Sequence, residues 1–372
     1  MAHAASSSFP KRIPRVEWLW KANVDPWSLS SDEDEEEWKR YSNVETRIIE
    51  EAYVSGKNEA ILDDYHIRFK PHLIQISNTN HNNQRPVKRV CRDGIEETRP
   101  LREARFMPNP INPKKPYLEN YPSFLREVSK YFDVPKSSSA FELLDEQRLI
   151  LLEKAAQGLI MEGKKLGKQR EAEWMARELV KVKAIYEYEI TTNTVQRSIA
   201  RDLEVYHVCA HLYTMESFLY KEINALMRLD GDMEYKELLM SKVPTYGPFA
   251  YLLFWKRGVR KEASEKTLTV YRCANLSDEL IQQYKEKYYR GMFATFPAFT
   301  STSRNRAKAV QFGNVLFVID IDVLKGEDVS LYSDYPDEEE VILHAGFTFE
   351  IQSCKFDGRT NKWIMHLKDH QL

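Results

Sequence analysis

Residues 331–351, LYSDYPDEEEVILHAGFTFEI, place three consecutive glutamates directly before an apolar run. Adjacent carboxylates on a loop usually form a solvated surface, whereas the run Val341–Leu343 is typical of a buried strand. Side chains two residues apart along an extended chain point to the same face. Glu338 and Glu340 are therefore expected to share one side of the strand, with Glu339 on the other.

Further strands are expected on both sides of this stretch. TLTVYRCA (267–274) alternates its side chains between two faces. Four other segments read as strands between Gly, Asp or Pro residues: NVLFVIDIDVL (314–324), EEEVIL (338–343), FTFEIQSC (347–354) and KWIMHLK (362–368). Helical spacing of apolar residues precedes them, at 137–165, 171–189 and 195–229. The sequence therefore predicts an α+β protein whose last part is helices followed by mostly antiparallel sheet.

The composition is that of an ordinary soluble globular protein with room for two domains. The 372 residues carry a formal net charge of −2, which gives no whole-chain reason to expect DNA binding. No apolar run approaches the length of a membrane span, and the first residues lack an apolar secretory segment. The four cysteines are scattered without paired spacing, which favours neither zinc nor a disulfide framework. An intracellular protein, cytoplasmic or nuclear and without a membrane partner, is expected.

Four segments are expected along the chain. Residues 16–91 are dense in Trp and Tyr, with short alternating stretches around one helix, as in a small α+β domain. Residues 92–136 are arginine-rich and contain seven prolines, which predicts a linker. Residues 137–194 are expected to be a helical connecting region, and 195–372 the main C-terminal domain.

Three features follow one another in the C-terminal domain: Arg272 near the end of a strand, FTSTS at 299–303, and EEEV at 338–341. Each alone has an ordinary structural explanation, namely an ion pair, a helix cap or a solvated loop. Together they resemble the arginine–serine–glutamate class of mono-ADP-ribosyltransferases, which includes bacterial toxins and animal arginine-specific enzymes. The resemblance covers about 195–372 and extends to YTMESFLYKEINALMR (213–228), FGNVLFVIDI (312–321) and YPDEEEVILHAGFTFEI (335–351).

The resemblance implies a fold of helices with a mostly antiparallel β-sandwich, and NAD as the substrate, with no metal. The family breaks the bond between nicotinamide and ribose through an oxocarbenium-like transition state, as in glycoside hydrolysis. Glu340 would stabilise the developing cation and hold a ribose hydroxyl, while Ser301 would hydrogen-bond Glu340 and orient it. Arg272 would contact an NAD phosphate with its planar guanidinium. Ser303 and Tyr335 are also expected at the NAD site.

Glu338 occupies the first position of the family's E-x-E pair, where Glu accompanies arginine acceptors. A guanidinium is protonated near neutral pH and is a poor nucleophile, so a carboxylate beside it can position it and accept its proton. Tyr335 matches an aromatic residue that contacts the substrate, and Tyr332 is a weaker second candidate. Proteins with an acceptor arginine are thus the expected partners. Two alternatives stay open: an NAD glycohydrolase with water as acceptor, and a non-catalytic ADP-ribose reader or scaffold.

Two further features receive structural interpretations. Many relatives have glycine where this chain has Cys273, which is expected to be buried and inert. His207 and His211 lie four residues apart on a predicted helix, but without the glutamate of an HExxH motif they are expected to be ordinary helix residues.

The first domain resembles a WWE domain, with Trp18, Trp38 and Glu50 as the two tryptophans and the glutamate that name it. The resemblance covers 16–91 and implies binding of poly(ADP-ribose) or ADP-ribosylated proteins, or a protein-interaction role. Trp18 is expected in the core, and the acidic insert 25–37 as a solvated loop. The expected ligand contacts are aromatic, polar and basic: Trp20, Trp38, Tyr41, Tyr65, Gln75, Arg85, Lys88 and Arg89.

Overall fold

The structure, a computed structural model, divides into two compact units, Met1–Glu97 and Thr98–Leu372. The residues that it describes are 15–23, 26–27, 37–92, 101–108, 122–136, 143–192, 198–255 and 267–370. The first fourteen residues and most of the acidic insert 25–37 lie outside these ranges, as do the first six residues of the predicted helical segment 137–165. No helix within these ranges is long and apolar enough to cross a membrane.

The first unit is a six-stranded antiparallel sheet with one helix, in the strand order β2-β1-β6-β5-β4-β3. Its elements are β1 (Arg15–Lys21), β2 (Trp38–Arg40), α1 (Asn43–Val54), β3 (Glu59–Ile61), β4 (Tyr65–Arg68), β5 (Ile74–Ser77) and β6 (Gln84–Arg92). Helix α1 begins after Ser42, which forms a reciprocal capping box with Glu45. The core between helix and sheet contains Trp18, Ile49 and Val87, so the predicted burial of Trp18 is confirmed.

Helices make up the first half of the second unit. They are α2 (Glu103–Phe106), α3 (Ser123–Tyr131), α4 (Asp145–Lys165), α5 (Gln169–Thr192), α6 (Ser198–Thr214), α7 (Phe218–Arg228), α8 (Lys236–Lys242) and α9 (Gly247–Phe254). The long helices α4 and α5 are joined by a short turn in which Gly167 has a φ of +68°. Both helices bury small and apolar side chains, including Ala155, Leu159 and Ala172.

The second half of this unit is an eight-stranded sheet with one helix of 13 residues and one of four. Its elements are β7 (Thr267–Ala274), α10 (Asp278–Arg290), β8 (Phe293–Phe296), β9 (Thr300–Ser303), α11 (Arg306–Ala309), β10 (Val315–Asp322), β11 (Gly326–Asp328), β12 (Glu340–Leu343), β13 (Phe347–Asp357) and β14 (Lys362–Asp369). The strand order is β11-β12-β9-β7-β10-β14-β13-β8, and among the described strands only β10 and β14 pair in parallel. Strand β7 joins β9 through the pair Tyr271–Ser303, which links a three-stranded part to a five-stranded part. The predicted α+β class, with helices before mostly antiparallel sheet, is confirmed.

Part of the predicted linker belongs to the second unit. Residues 101–108 and 122–136 contain helices α2 and α3, and the compact unit begins at Thr98. The apolar side chains of Leu101 and Phe106 are buried against Cys273, Leu316 and Val318 of strands β7 and β10. Prolines in this region therefore separate short packed helices, at least in the two described stretches, rather than marking a solvated tether.

Candidate active site

Two of the three carboxylates of the EEEV motif, those of Glu338 and Glu340, lie together at the start of β12. Residues Pro336–Glu338 form a 3-10 turn, and Glu339 has a φ of +46°, in the left-handed region. This corrects the expectation of an extended segment, because the chain kinks at Glu339 before the strand begins. The side chains of Glu338 and Glu340 are nevertheless both fully buried and near the same guanidinium, while Glu339 is 41% exposed.

Strand β12 orients Glu340 by simple alternation. Val341 and Leu343 point into the apolar core of the sheet, so Glu340 and Ile342 face the opposite side. The neighbouring strand β9 pairs Ser303 with Glu340 and Ser301 with Ile342. The strand therefore holds the Glu340 carboxylate beside the two serines, away from the hydrophobic core.

Ser301 and Ser303 play different parts from those expected. The Ser303 hydroxyl donates to the Glu338 carbonyl at 2.7 Å and accepts from the Asn305 amide at 2.9 Å, which braces the kink. The expected bond from Ser301 to Glu340 is not formed in the part of the chain that the structure describes. The register places Ser301 two residue pairs further along β9, opposite Ile342, and the Glu340 carboxylate is bonded to an arginine instead.

Arg272 is a buried cation whose donors reach only carbonyls. Its guanidinium donates to the carbonyls of Ser301 and Pro108, both at 2.6 Å, and of Arg105 at 3.3 Å. Burial lowers the pKa of the guanidinium, and no carboxylate within the described ranges pairs with it. A desolvated cation without a counter-ion is suited to bind an anionic ligand.

The most direct neighbours of the two glutamates come from residues 101–108, LREARFMP, here called the arginine segment. Arg102 donates to Glu338 through Nε at 2.9 Å and through Nη2 at 2.7 Å, a bidentate contact. Arg105 donates from Nε to Glu340 at 2.7 Å. Burial works against the charge of Arg102, but the Glu338 carboxylate outweighs this and raises the Arg102 pKa. Sequence reasoning missed both arginines because their segment was assigned to a linker.

Aromatic rings line the site. The Tyr335 ring lies 3.8 Å from the Arg102 guanidinium carbon, so the predicted aromatic contact is next to Glu338. The rings of Tyr213 and Tyr220 lie 4.6 and 4.8 Å from the Arg105 guanidinium carbon. Each arginine of the segment thus combines a carboxylate with an aromatic face, as guanidinium sites in proteins commonly do.

The weaker candidate Tyr332 packs on helix α6 instead. Its ring stacks on His207 at 4.0 Å between ring centroids, and its carbonyl lies 2.7 Å from Nδ1 of His211. The two histidines therefore hold the loop before the EEEV motif.

Across the described ranges, no group of three or more His, Cys, Asp or Glu side chains is placed to hold a metal. The Cys273 thiol is fully buried, and burial raises its pKa, as expected for an inert cysteine.

A cavity of about 290 Å³ adjoins the site. Arg272 and Ser301 line it, together with Arg228 and Asn224 from helix α7. Burial lowers the Arg228 pKa, and this cation also has no carboxylate partner among the residues that the structure covers. Arg228 has the chemistry of a second contact for an anionic ligand. Sequence reasoning did not identify it, although it ends the stretch 213–228 that carries the family resemblance.

In the first unit, the predicted ligand residues divide between the two faces of the sheet. The Tyr41 hydroxyl donates to Gln75 at 2.5 Å, and both side chains are buried. Tyr65 and Arg85 share the face of Gln75 by register. Arg85 also lies 5.4 Å from the Trp20 ring. These five residues can belong to one site.

The other predicted residues of the first unit have structural partners. Lys88 pairs with Leu19 and lies 4.2 Å from the Trp38 ring, on the opposite face from Gln75. Arg89 binds Glu50 bidentately, at 2.9 and 2.6 Å. Glu50 also accepts a 2.9 Å bond from Trp18, which connects two of the residues expected to name the domain. By register, the face of Gln75 does not carry Lys88 or Trp38. It does carry Arg89, whose guanidinium is engaged by Glu50.

Comparison with known proteins identifies both units. Residues 159–371, more than half of the chain, match the family model described as NAD:arginine ADP-ribosyltransferase. Residues 16–89 match the WWE domain. A Mycobacterium avium (strain 104) protein named as an NAD(+)–arginine ADP-ribosyltransferase is 37% identical over 101 residues. That match covers 26% of this chain and only 12% of the mycobacterial protein.

Solved structures resemble the chain more distantly. HopU1 of Pseudomonas syringae pv. Tomato DC3000, an ADP-ribosyltransferase, is 22% identical with a TM-score of 0.36, over 44% of this chain and 76% of HopU1. The type III effector XopAI of Xanthomonas axonopodis pv. citri is 12% identical with a TM-score of 0.44, over 71% of this chain and 97% of XopAI.

Proposed function

This chain belongs to the NAD:arginine ADP-ribosyltransferase family and carries a WWE domain, and on this premise we propose that it transfers ADP-ribose from NAD to arginine side chains of proteins. The bond between nicotinamide and C1′ of the ribose breaks, and its electron pair leaves with nicotinamide. A guanidinium nitrogen then bonds to C1′ and loses its proton.

The buried charges of the site suit these steps. Glu340, on a rigid strand, would face the cationic ribose of the transition state and hold a ribose hydroxyl. Arg272, and Arg228 across the cavity, would bind the diphosphate, since both are desolvated cations without a carboxylate partner in the described structure. Ser301 lines the same cavity, and its carbonyl accepts a hydrogen bond from Arg272.

The observation that carries the arginine acceptor is the contact between Glu338 and Arg102. The carboxylate receives two donors of a guanidinium at 2.9 and 2.7 Å, and Tyr335 covers the face of that guanidinium. The position beside the catalytic glutamate is thus chemically suited to an arginine side chain. Water as acceptor, the glycohydrolase alternative, needs no such bidentate site.

The test measures nicotinamide release and ADP-ribosylagmatine formation by the full chain, with Glu338→Gln and Glu340→Gln as a matched pair. Glu340→Gln is expected to lower both products about 10²–10³-fold, the usual cost of losing one transition-state contact. Glu338→Gln is expected to lower transfer to agmatine while slow NAD hydrolysis continues. The proposal is wrong if neither the wild type nor a variant lacking Arg102 and Arg105 makes ADP-ribosylagmatine above the Glu340→Gln background. Release of nicotinamide without transfer would instead support the glycohydrolase, and no release at all a non-catalytic reader or scaffold.

For the WWE domain, the buried pair Tyr41–Gln75 supports a role in binding ADP-ribose units of poly(ADP-ribose) or of ADP-ribosylated proteins. The Trp20 ring next to these polar groups fits an adenine ring, and the Arg85 guanidinium fits a phosphate of the same ADP-ribose unit. Such binding would bring the transferase to proteins that already carry ADP-ribose.

Two basic residues of strand β6 provide the comparison that tests this role. Calorimetric titration of the full chain with iso-ADP-ribose is expected to show weaker binding for Arg85→Gln and unchanged binding for Lys88→Gln, which lies on the other face. Tyr65→Phe provides a second variant on the Gln75 face that removes only a hydroxyl. No heat of binding to the wild type would refute the reader role and leave the transferase proposal untouched.

A further inference from the structure

The arginine segment occupies both halves of the proposed active site: the acceptor half around Glu338 and the NAD half around Glu340. It precedes Glu338 by more than two hundred residues, yet its two arginines make the main contacts of the two glutamates. Leu101 and Phe106 flank these arginines and are buried in the apolar cluster that contains Cys273. The segment is therefore anchored at both ends while its cations reach into the site.

Arg102 fills the acceptor half. Besides its bidentate contact with Glu338, its Nη1 donates to the Thr214 carbonyl at 2.8 Å and lies 3.7 Å from a Glu216 oxygen. Its backbone amide also donates to Glu338, at 3.1 Å. With Tyr335 covering one face, the guanidinium is bound as an acceptor arginine would be. This assigns Thr214 and Glu216 to the acceptor site.

Arg105 and the backbone near it fill the NAD half. The Arg105 side chain is fully buried, bonded to Glu340 at 2.7 Å and to the Tyr213 carbonyl at 2.9 Å. The carbonyls of Arg105 and Pro108 receive donors of Arg272. A ribose hydroxyl and a phosphate would need these same groups, Glu340 and Arg272. NAD and the segment therefore compete for one set of partners.

NAD is able to displace the arginine segment, because the segment leaves buried polar atoms of the site without hydrogen bonds. Nη2 of Arg105, Nε of Arg272 and Oε2 of Glu340 have no hydrogen-bond partner in the described parts of the chain. A phosphate oxygen could satisfy Arg272, and a ribose hydroxyl could satisfy Glu340. Ligand binding thus restores contacts that the segment does not complete.

We propose that residues 101–108 are an internal pseudosubstrate, which binds the acceptor site through Arg102 and keeps NAD from Glu340 through Arg105. The inference rests on the proposed function of the same site. Displacement of the segment, by NAD together with an arginine-bearing acceptor, is then the step that opens the enzyme. Only a fraction of the molecules adopts the conformation that binds NAD, because the segment occupies the site in the rest. The apparent affinity for NAD is lowered by that fraction.

The first test is calorimetric titration of the full chain with carba-NAD, a non-cleavable NAD analogue. Arg105→Gln is expected to bind it at least about tenfold more tightly than the wild type, because the competing guanidinium is gone. Arg170→Gln provides the matched control, since Arg170 is an exposed arginine of helix α5 paired with Glu173. The double variant Arg102→Gln/Arg105→Gln is expected to bind carba-NAD with the same raised affinity. Addition of a peptide of sequence LREARFMP is expected to lower that affinity. The same peptide with both arginines replaced by glutamine should have no effect.

A second test needs no substitution and decides the matter even where a variant fails to fold. Agmatine competes with Arg102 for Glu338, and a released segment also releases Glu340. Saturating agmatine is therefore expected to strengthen carba-NAD binding by the wild type, and by reciprocity carba-NAD should strengthen agmatine binding.

The outcomes separate the two proposals. Equal carba-NAD affinities of the wild type and Arg105→Gln, with no effect of agmatine, would overturn the pseudosubstrate, and transfer to agmatine would leave the proposed function standing. If carba-NAD binds none of these chains, with agmatine present or absent, both proposals fail.

Discussion

At the scale of single residues, Glu339 shows how a local conformation places two functional side chains. A residue other than glycine pays about 1–2 kcal/mol to adopt the left-handed region. The kink is held by the Ser303 hydroxyl on one side and by a bond from Asn305 to the Glu339 carboxylate at 3.0 Å on the other. Backbone strain of this kind concentrates at functional sites. Here it turns Glu338 and Glu340 toward one cleft.

Substitution of Glu339 tests this assignment. Glu339→Gly is expected to unfold with a free energy within about 1 kcal/mol of the wild type, because relief of strain offsets the lost contact with Asn305. Glu339→Val loses the same contact and keeps a β-branched side chain in the left-handed region, so it is expected to be destabilised by about 2 kcal/mol or more. Urea unfolding of the full chain measures both. Equal stability of the two variants would show that the kink is not held at this residue.

At the scale of elements, helix α4 depends on a glycine for its approach to the chain before α9. A Cβ built on Gly158 would lie 2.1 Å from the backbone oxygen of Thr245, which cannot move aside as a side chain can. The missing side chain therefore allows the helix to lie directly on a neighbouring backbone. This packing positions the helical layer that precedes the sheet.

Gly158→Ala is expected to destabilise the second unit by about 1–3 kcal/mol through overpacking. The expectation runs against helix propensity, by which alanine would gain about 1 kcal/mol. Gln157→Ala, an exposed neighbour on the same helix, provides the control and is expected to stay within about 0.5 kcal/mol of the wild type. A shift of the melting temperature upward in Gly158→Ala would contradict the close contact.

At the scale of the whole molecule, each unit has its own hydrophobic core. In the first unit the bond from Arg89 holds the Glu50 pKa below its ordinary value. A carboxylate with a lowered pKa in the folded state contributes stability above its unfolded pKa, which is about 4.3. That contribution is lost as the pH falls through the lowered pKa of the folded state.

Glu50→Gln is therefore expected to lower the stability of the first unit by about 1 kcal/mol at pH 7, a modest value because the ion pair is partly exposed. The difference from the wild type should shrink below about pH 4. Calorimetric scans of the full chain at several pH values follow the transition of each unit. The second unit is expected to melt unchanged, and a difference that grows toward low pH would refute the assignment.

The amino-acid pattern predicted the class of the fold and five of the eight described strands of the second unit, namely β7, β10, β12, β13 and β14. It also pointed to Arg272, Ser301 and Glu340, which stay predictions based on a family resemblance. These are local properties, because alternation, turn residues and short motifs leave their trace within about ten residues of one another. The left-handed kink at Glu339 could not be predicted in this way, because the residue there is not glycine.

The surroundings of the two glutamates depend on contacts between residues far apart in sequence, which no local pattern predicts. Arg102 meets Glu338 across 236 positions of sequence, and a proline-rich stretch with arginines carries no periodic signal of that destination. Register likewise decided that Ser303, not Ser301, lies opposite Glu340, and that Lys88 faces away from Gln75. Long-range packing brings Arg102 and Arg105 to the two glutamates, because a buried carboxylate without a partner is strongly destabilising. Which cation a carboxylate meets is a property of the folded chain.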